Sequence, residues 1–242
     1  IVSAIKCIIA AGGLGTRLQG FRGNESTKIL LKVNSKPMIV QQLEQLISWG
    51  LEEFIIITNP SFDSLIKHET SEMSKKYSIE FAIQSEQLGI SHALKQAKSK
   101  VNDDDQVVFV LGDNFFGINP MQNINFEELV NSNKNSIIFT KEVPNPEEFG
   151  VAVTDLNNKV IQIEEKPKNP KSNNAVVGLY IFDATCMEKI DELKPSNRGE
   201  YEITDLINLY IDEDRCTSVS LNSWWIDAGT PERILDLEEK LL

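Results

Sequence analysis

Residues 8–18 read IIAAGGLGTRL: an apolar run, glycines at Gly12, Gly13 and Gly15, then Thr16, Arg17 and Leu18. An apolar, isoleucine-containing run of this kind fits a strand buried on both faces. Glycines directly after it let the chain turn sharply and bring backbone N–H groups against an anion with no Cβ in the way. With Arg17 in the same turn, the segment is a candidate phosphate cradle rather than a plain strand-to-helix connection. Two other phosphate loops are excluded. Gly13-Leu14-Gly15 begins a G-x-G-x-x-G, but Leu18 stands where its third glycine belongs, and the second strand ends on Thr58-Asn59-Pro60 with no acidic residue for a ribose hydroxyl. No G-K-[ST] follows at P-loop spacing.

Working outward, apolar runs at 5–10, 54–58, 79–83, 107–111 and 136–140 read as buried strands. Amphipathic helix candidates lie between them at 37–49, 61–76, 91–99 and 126–132. That alternation predicts an α/β fold with a doubly wound, mostly parallel sheet. Ligands of such sheets bind beyond the carboxyl ends of the strands, which directs attention to the loops after Ala10, Ile83 and Leu111. After Asn145 the pattern changes to closely spaced strands at 151–154, 160–164 and 175–182, followed by helices at 202–211 and 232–241. These predict added antiparallel strands forming a lid over the same site. No linker is long or simple enough to separate independent domains, so 1–242 reads as one domain with halves 1–145 and 146–242.

Composition narrows the partners. With 242 residues, 41% hydrophobic and 25% charged, the chain is an ordinary soluble globular one. Asp and Glu number 36 against 24 Lys and Arg, a net charge of -12, which argues against general attraction to nucleic acid or anionic lipid. A phosphate ligand must then be gathered by a local cationic site. Cys7, Cys186 and Cys216 form no CxxC pair and fit reduced thiols. His68 and His92 have no metal-ligand spacing and read as ordinary side chains. The apolar stretch at 4–11 is interrupted by Lys6 and is too short for a membrane span or signal segment, so a cytoplasmic protein with no membrane partner is expected.

Six landmarks then stand in one order: GGLGTRL at 12–18, Lys28, LGDN at 111–114, EEKP at 164–167, RGEYEITD at 198–205 and WIDAGT at 225–230. In these the chain resembles the glucose-1-phosphate thymidylyltransferase and sugar-1-phosphate nucleotidylyltransferase family, and the likeness runs over nearly the whole chain. The resemblance implies a Rossmann-like nucleotidyltransferase sheet with a sugar-binding lid, a nucleotide-binding half at 1–145 and a sugar-phosphate half at 146–242. It implies transfer of a nucleotidyl group from dTTP or UTP to a hexose 1-phosphate such as glucose 1-phosphate.

By position, the resemblance makes Arg17, Lys28 and Lys166 the catalytic cations, the first two on the β- and γ-phosphates and Lys166 on the sugar phosphate. Asp113 and Asp227 would hold Mg²⁺ together with phosphate oxygens. Ala10, Gly12, Gly13, Gly15, Thr16, Gln84 and Gly89 would bind nucleotide, Gln84 and Gly89 reading the base. A Gln amide both donates and accepts, which suits the N3–H and O4 edge of thymine or uracil. Asn114, Gly150, Glu165, Val176 and Tyr180 would line the sugar pocket. Departures from the family pattern are Gly20 in place of a proline, Phe149 where tyrosine is frequent, Ala10 where leucine is usual, and one extra residue between Arg17 and Lys28. The chain stops soon after the helix following WIDAGT, from which the family's regulation through further C-terminal helices is expected to be absent or altered. A homodimer is expected by analogy. Competing readings are a cytidylyl- or guanylyltransferase on the same fold, or a non-catalytic binder of nucleotide sugars.

Overall fold

The computed structural model describes residues 4–23, 27–131 and 135–242. Along the chain, β1 (Ile5–Ala10) leads through the glycine loop to a two-residue hairpin, β2 (Lys32–Val33) and β3 (Lys36–Pro37). Helix α1 (Met38–Ser48) follows, burying Met38, Ile39, Leu43 and Leu46 on one stripe. It ends where Gly50 takes φ +89° and Gly50 N–H donates to the Ile47 carbonyl, a left-handed stop that glycine adopts without a Cβ penalty. Next come β4 (Glu53–Thr58), α2 (Asp63–Glu69), β5 (Ser78–Ile83), α3 (Ile90–Lys95), β6 (Gln106–Leu111), the short β7 (Asn114–Phe116) and α4 (Phe126–Asn131). The second half adds β8 (Ser136–Glu142), β9 (Gly150–Thr154), β10 (Val160–Glu165), β11 (Asn174–Asp183), α5 (Cys186–Asp191), α6 (Ile203–Asp212), β12 (Cys216–Ser220), β13 (Trp225–Asp227) and α7 (Pro231–Lys240).

Two expected helices are shorter than their apolar pattern. The segment 61–76 forms only α2, with both the Thr70 N–H and its hydroxyl donating to the Ile66 carbonyl at 3.1 and 2.8 Å at its end; a separate 3₁₀ turn follows at Met73–Lys75. The segment 91–99 likewise divides into α3 and a 3₁₀ turn at Lys98–Lys100. The last residue of the expected helix at 126–132 lies outside the described residues.

In the main sheet β1 sits between β4 and β6, parallel to both, and β5 runs parallel to β4. The ten-residue β11 lies antiparallel to β6 and carries β8 along its other edge, with β12 parallel to β8. Where β6 ends, β11 continues and pairs with β9 through Ala175 and Val151, and β10 closes that end of the sheet. The antiparallel addition is therefore hydrogen-bonded into the central sheet through β11. One apolar layer holds α1, α2 and α7 against Cys7, Ile9, Val108 and Val110; the opposite layer packs α3, α5 and α6 against Ile8, Val107 and Phe109. Successive strand residues face opposite layers, so both faces of β1 and β6 are covered. Each fully buried Leu or Phe side chain in these layers contributes about 1.5–3 kcal/mol.

Candidate active site

The parallel register sets the site. Ala10 pairs with Ile57 on one side and Leu111 on the other, so the loops after β1, β4 and β6 leave the sheet at one level. There they border a cavity of about 800 Å³. Gly12 and Gly13 lie on its wall, held from behind: Asn59 Nδ2 and Gln87 Nε2 donate to the Gly12 carbonyl at 3.0 and 2.9 Å, and Thr27 Oγ1 to the Gly13 carbonyl at 2.7 Å. A Cβ on Gly13 would meet nothing within 4 Å, so that glycine stays open to a ligand, whereas Gly12 packs against Gln84 and Thr58. Gly15 and Thr16 do not line the cavity. Gly15 takes φ +62° beneath Lys28, whose Cβ is 2.6 Å from where a side chain would begin, and Thr16 is an exposed residue opening a 3₁₀ turn. Gly15 thus lets Lys28 approach the loop.

Two carboxylates are brought together by backbone pairing far apart in sequence. Gly112 carries the chain off β6 past the Ala10 carbonyl, 2.8 Å from where a Cβ would sit, and delivers Asp113 to the cavity. β7 then pairs antiparallel with β13, setting Asn114 opposite Asp227, while Ala228 N–H donates to the Asp113 carbonyl at 2.8 Å. Asp113 and Asp227 therefore become neighbours. Lys28 Nζ forms an ion pair with Asp113 Oδ2. Burial alone would raise the Asp113 carboxyl, but the Lys28 charge and hydrogen bond outweigh it and hold Asp113 below its ordinary value. Burial likewise opposes the charge on Lys28, and Asp113 outweighs it, so Lys28 is raised.

Asp227 is the contrasting member. Its Oδ1 is buried with no hydrogen-bond partner among the described residues, and Arg233 stands 3.8 Å from its Oδ2. Burial and the nearby Asp113 push its carboxyl up to about 6, against the pull of Lys28, Arg233 and Arg17. Arg17 comes near as well: a Cβ on Gly229 would lie 3.0 Å from Asp227 Oδ1 and 3.6 Å from an Arg17 terminal nitrogen. Among the described residues no cluster of three or more His, Cys, Asp and Glu forms a metal site alone. Two adjacent carboxylates, one with an unpartnered oxygen, instead suit a hard cation that completes its shell with ligand oxygens and water.

The shifted carboxyl has a consequence in the metal-free protein. A folded-state value near 6 against an ordinary 3.8 means that the folded chain keeps a proton the unfolded chain has released. Ionising Asp227 therefore costs stability; the cost is absent below pH 3.8, grows as pH rises to about 6 and is constant above. Asp227→Asn is expected to raise the metal-free Tm at pH 7.5 by about 6–12 °C and to leave it unchanged near pH 3.5. Thermal melts of both proteins across that range check this.

The remaining walls come from the second half. Lys166 follows β10 with φ +43°, uncommon for a side-chain-bearing residue, while its N–H donates to the Phe149 carbonyl at 3.0 Å. Its side chain is exposed, lines the cavity and has no ion pair among the described residues. Glu165 is pushed above the ordinary carboxylate range by burial and by Glu202, with Arg198 and Lys166 pulling it down. Gly150 lies beside it, a Cβ there standing 3.5 Å from Glu165 Oε2. Val176 and Tyr180 of β11 complete this side. Asn114 also lines the cavity, but its amide is engaged internally: Oδ1 accepts from Gly178 N at 3.0 Å and Trp225 Nε1 at 2.7 Å, and Nδ2 donates to Asp113 at 3.0 Å. Asn114 thus supports Asp113 and ties β7, β11 and β13 together.

Ala10, Gln84 and Gly89 form the opposite end. Several further lining residues were not assigned as site residues by the sequence reading. Arg198 chelates Glu202 through Nε and a terminal nitrogen at 2.9 and 3.1 Å; both were in view within RGEYEITD. Gln87 and Arg233 carried no motif signal.

Residues 6–242 match the nucleotidyl transferase family. The chain belongs to that family. It is 37% identical over 235 residues to a glucose-1-phosphate thymidylyltransferase of Neisseria meningitidis, covering 95% of this chain and 80% of the relative. It is 28% identical to the UTP–glucose-1-phosphate uridylyltransferase AglF of Haloferax volcanii, covering 98% and 96%. Among solved structures it is similar to a Bacillus anthracis protein provisionally named a glucose-1-phosphate thymidylyltransferase, crystallised with sucrose: TM-score 0.86, 36% identity, 98% of this chain and 95% of the other. No helix among the described residues of this nucleotidyl transferase is long and apolar enough to cross a membrane.

Proposed function

We propose that this nucleotidyl transferase moves a nucleotidyl group from dTTP or UTP to a hexose 1-phosphate, glucose 1-phosphate first among them, and releases pyrophosphate. The observation that supports this most is the meeting of three cations, Arg17, Lys28 and Lys166, with two carboxylates, Asp113 and Asp227, on one cavity. The activities for which the Neisseria and Haloferax relatives are named agree with a thymine or uracil base and with glucose 1-phosphate. The described chain acts in this reading as one domain, 1–145 serving the nucleotide and 146–242 the sugar phosphate.

In the reaction an oxygen of the sugar 1-phosphate forms a bond to the α-phosphorus as the bond to the β-bridging oxygen breaks, and pyrophosphate leaves with that electron pair. Positioning and charge stabilisation supply most of the acceleration of such a step. Gly12 and Gly13 receive the triphosphate, Ala10 borders the nucleoside, and Arg17 and Lys28 neutralise the leaving pyrophosphate. Lys166, with Arg198 at the same wall, holds the attacking phosphate. Glu165 accepts from sugar hydroxyls beside Gly150, Val176 and Tyr180, and Asn114 keeps Asp113 in place. Asp113 and Asp227 would hold Mg²⁺, which when bound draws charge from the α-phosphate and makes its phosphorus more electrophilic. The unpartnered Asp227 oxygen fits that ion.

A screen of four nucleoside triphosphates against several hexose 1-phosphates, read as pyrophosphate released, tests the substrate pair. Highest turnover is expected with dTTP or UTP and glucose 1-phosphate; a clear preference for CTP or GTP would refute the base assignment. Within the same assay Lys166→Ala is expected to raise KM for the sugar 1-phosphate at least about tenfold, the worth of one charged contact, while KM for the triphosphate changes less than about twofold.

A further inference from the structure

We propose that His92 is a positioning residue for base selection: it pins the Gln84 amide so that only its oxygen, never its nitrogen, faces the base. Sequence reading left His92 as an ordinary side chain. In the fold it lies on α3, one turn past Gly89, and its Nδ1 is 3.1 Å from Gln84 Nε2. The amide orientation follows from elementary chemistry. The same Gln84 atom lies 3.2 Å from the Gly89 carbonyl, which can only accept, so that atom is the nitrogen. One N–H goes to Gly89, and the other is left for Nδ1, which then accepts as the unprotonated ring nitrogen; Nε2 on the far side lies 3.4 Å from Gln96 Nε2, whose own N–H is directed at the His92 carbonyl at 2.9 Å. The opposite atom, Oε1, points towards the glycine loop: a Cβ on Gly12 would lie 3.2 Å from it.

The ring itself is held. His92 stacks on Tyr201 with centroids 6.2 Å apart and planes 26° apart. Tyr201 N–H donates to the Leu88 carbonyl at 2.7 Å, and Ser91 N–H to the Tyr201 carbonyl at 3.1 Å, lacing the Gly89 turn to the same support. Gly89 takes φ +104°, and its own N–H donates to no described residue. The cavity thus offers a base one fixed acceptor, Gln84 Oε1, and one free donor, Gly89 N–H. An N3–H beside a ring carbonyl, as in uracil and thymine, matches that pair. Cytosine in the same seat would set its N3 lone pair against Oε1. Without His92 only the Gly89 carbonyl still holds the amide, so turning it to present a donor breaks one bond instead of two.

The inference takes from the proposed nucleotidyl transfer only the identity of the ligand, and equilibrium binding tests it without turnover. Calorimetric Kd values for UTP, dTTP and CTP are measured on the intact chain, His92→Leu and His92→Asn. Leu keeps bulk and removes the acceptor; Asn places Oδ1 near the lost Nδ1. The unmodified chain is expected to prefer UTP and dTTP over CTP. His92→Leu is expected to weaken both about fivefold, leave CTP unchanged or tighter, and so shrink the preference by at least that factor, whereas His92→Asn keeps each Kd within about twofold. His92→Met takes the place of His92→Leu should the latter fail to fold. Unchanged affinities in the Leu variant, an equal loss for all three triphosphates, or no preference in the unmodified chain would overturn the assignment. Pyrophosphate release on the same samples keeps the two readings apart: binding with this pattern but no transfer would refute the reaction and leave His92 in its role.

Discussion

Asp113→Asn is expected to lower kcat by about a thousandfold, the scale of several kcal/mol lost from transition-state charge stabilisation. Asparagine keeps the shape and the bond from Asn114, so the fold should persist with an unchanged circular dichroism spectrum. What disappears is one of two carboxylates facing the triphosphate and the counter-charge of Lys28. Turnover should not recover at high concentrations of divalent cation, because the deficit lies in transition-state geometry as well as in occupancy. Near-normal rates in the variant would remove Asp113 from the metal-holding pair. Steady-state kinetics over a cation titration supply the answer.

The second large effect is on stability as well as rate. Lys28→Met strands Asp113 as a buried carboxylate facing Asp227, and breaking a buried ion pair from one side costs about 3–5 kcal/mol. At about 2–4 °C per kcal/mol for a chain of this size, the Tm should fall by roughly 6–20 °C. Loss of a cation on the leaving pyrophosphate should lower kcat a further hundredfold or more, on the order of one charge-stabilising donor. Asp113→Asn added to Lys28→Met removes the stranded charge, so the double variant should regain most of the lost Tm and remain inactive. A double variant as unstable as the single one would show that Lys28 matters by packing alone.

The parallel part of the fold was legible because buried parallel strands advertise themselves as continuous apolar runs, and the helices between them as apolar stripes. The glycine loop was legible for a related reason, since few other residues permit such a turn beside an anion. What stayed hidden depends on long-range pairing. β7 and β13 are three residues each, too short for any period, yet their register is what brings Asp113 and Asp227 together. The segment 61–76 carried a helical stripe, but it folds as α2 and a separate 3₁₀ turn at Met73–Lys75. Asn114 stood in a motif, but its bonds to Gly178 and Trp225, 64 and 111 residues away, were not legible there. His92 had no motif at all; only the folded turn places it against Gln84.

The geometry at Asp113 and Asp227 can be observed directly. Crystals grown with Mn²⁺ in place of Mg²⁺ and with the pyrimidine nucleotide bound would give an anomalous difference map. A single strong peak between the two carboxylates, in contact with an oxygen of the α-phosphate, is the predicted result. Nucleotide phosphates seated on Gly12 and Gly13 with the Mn²⁺ peak elsewhere, or with none, would contradict it.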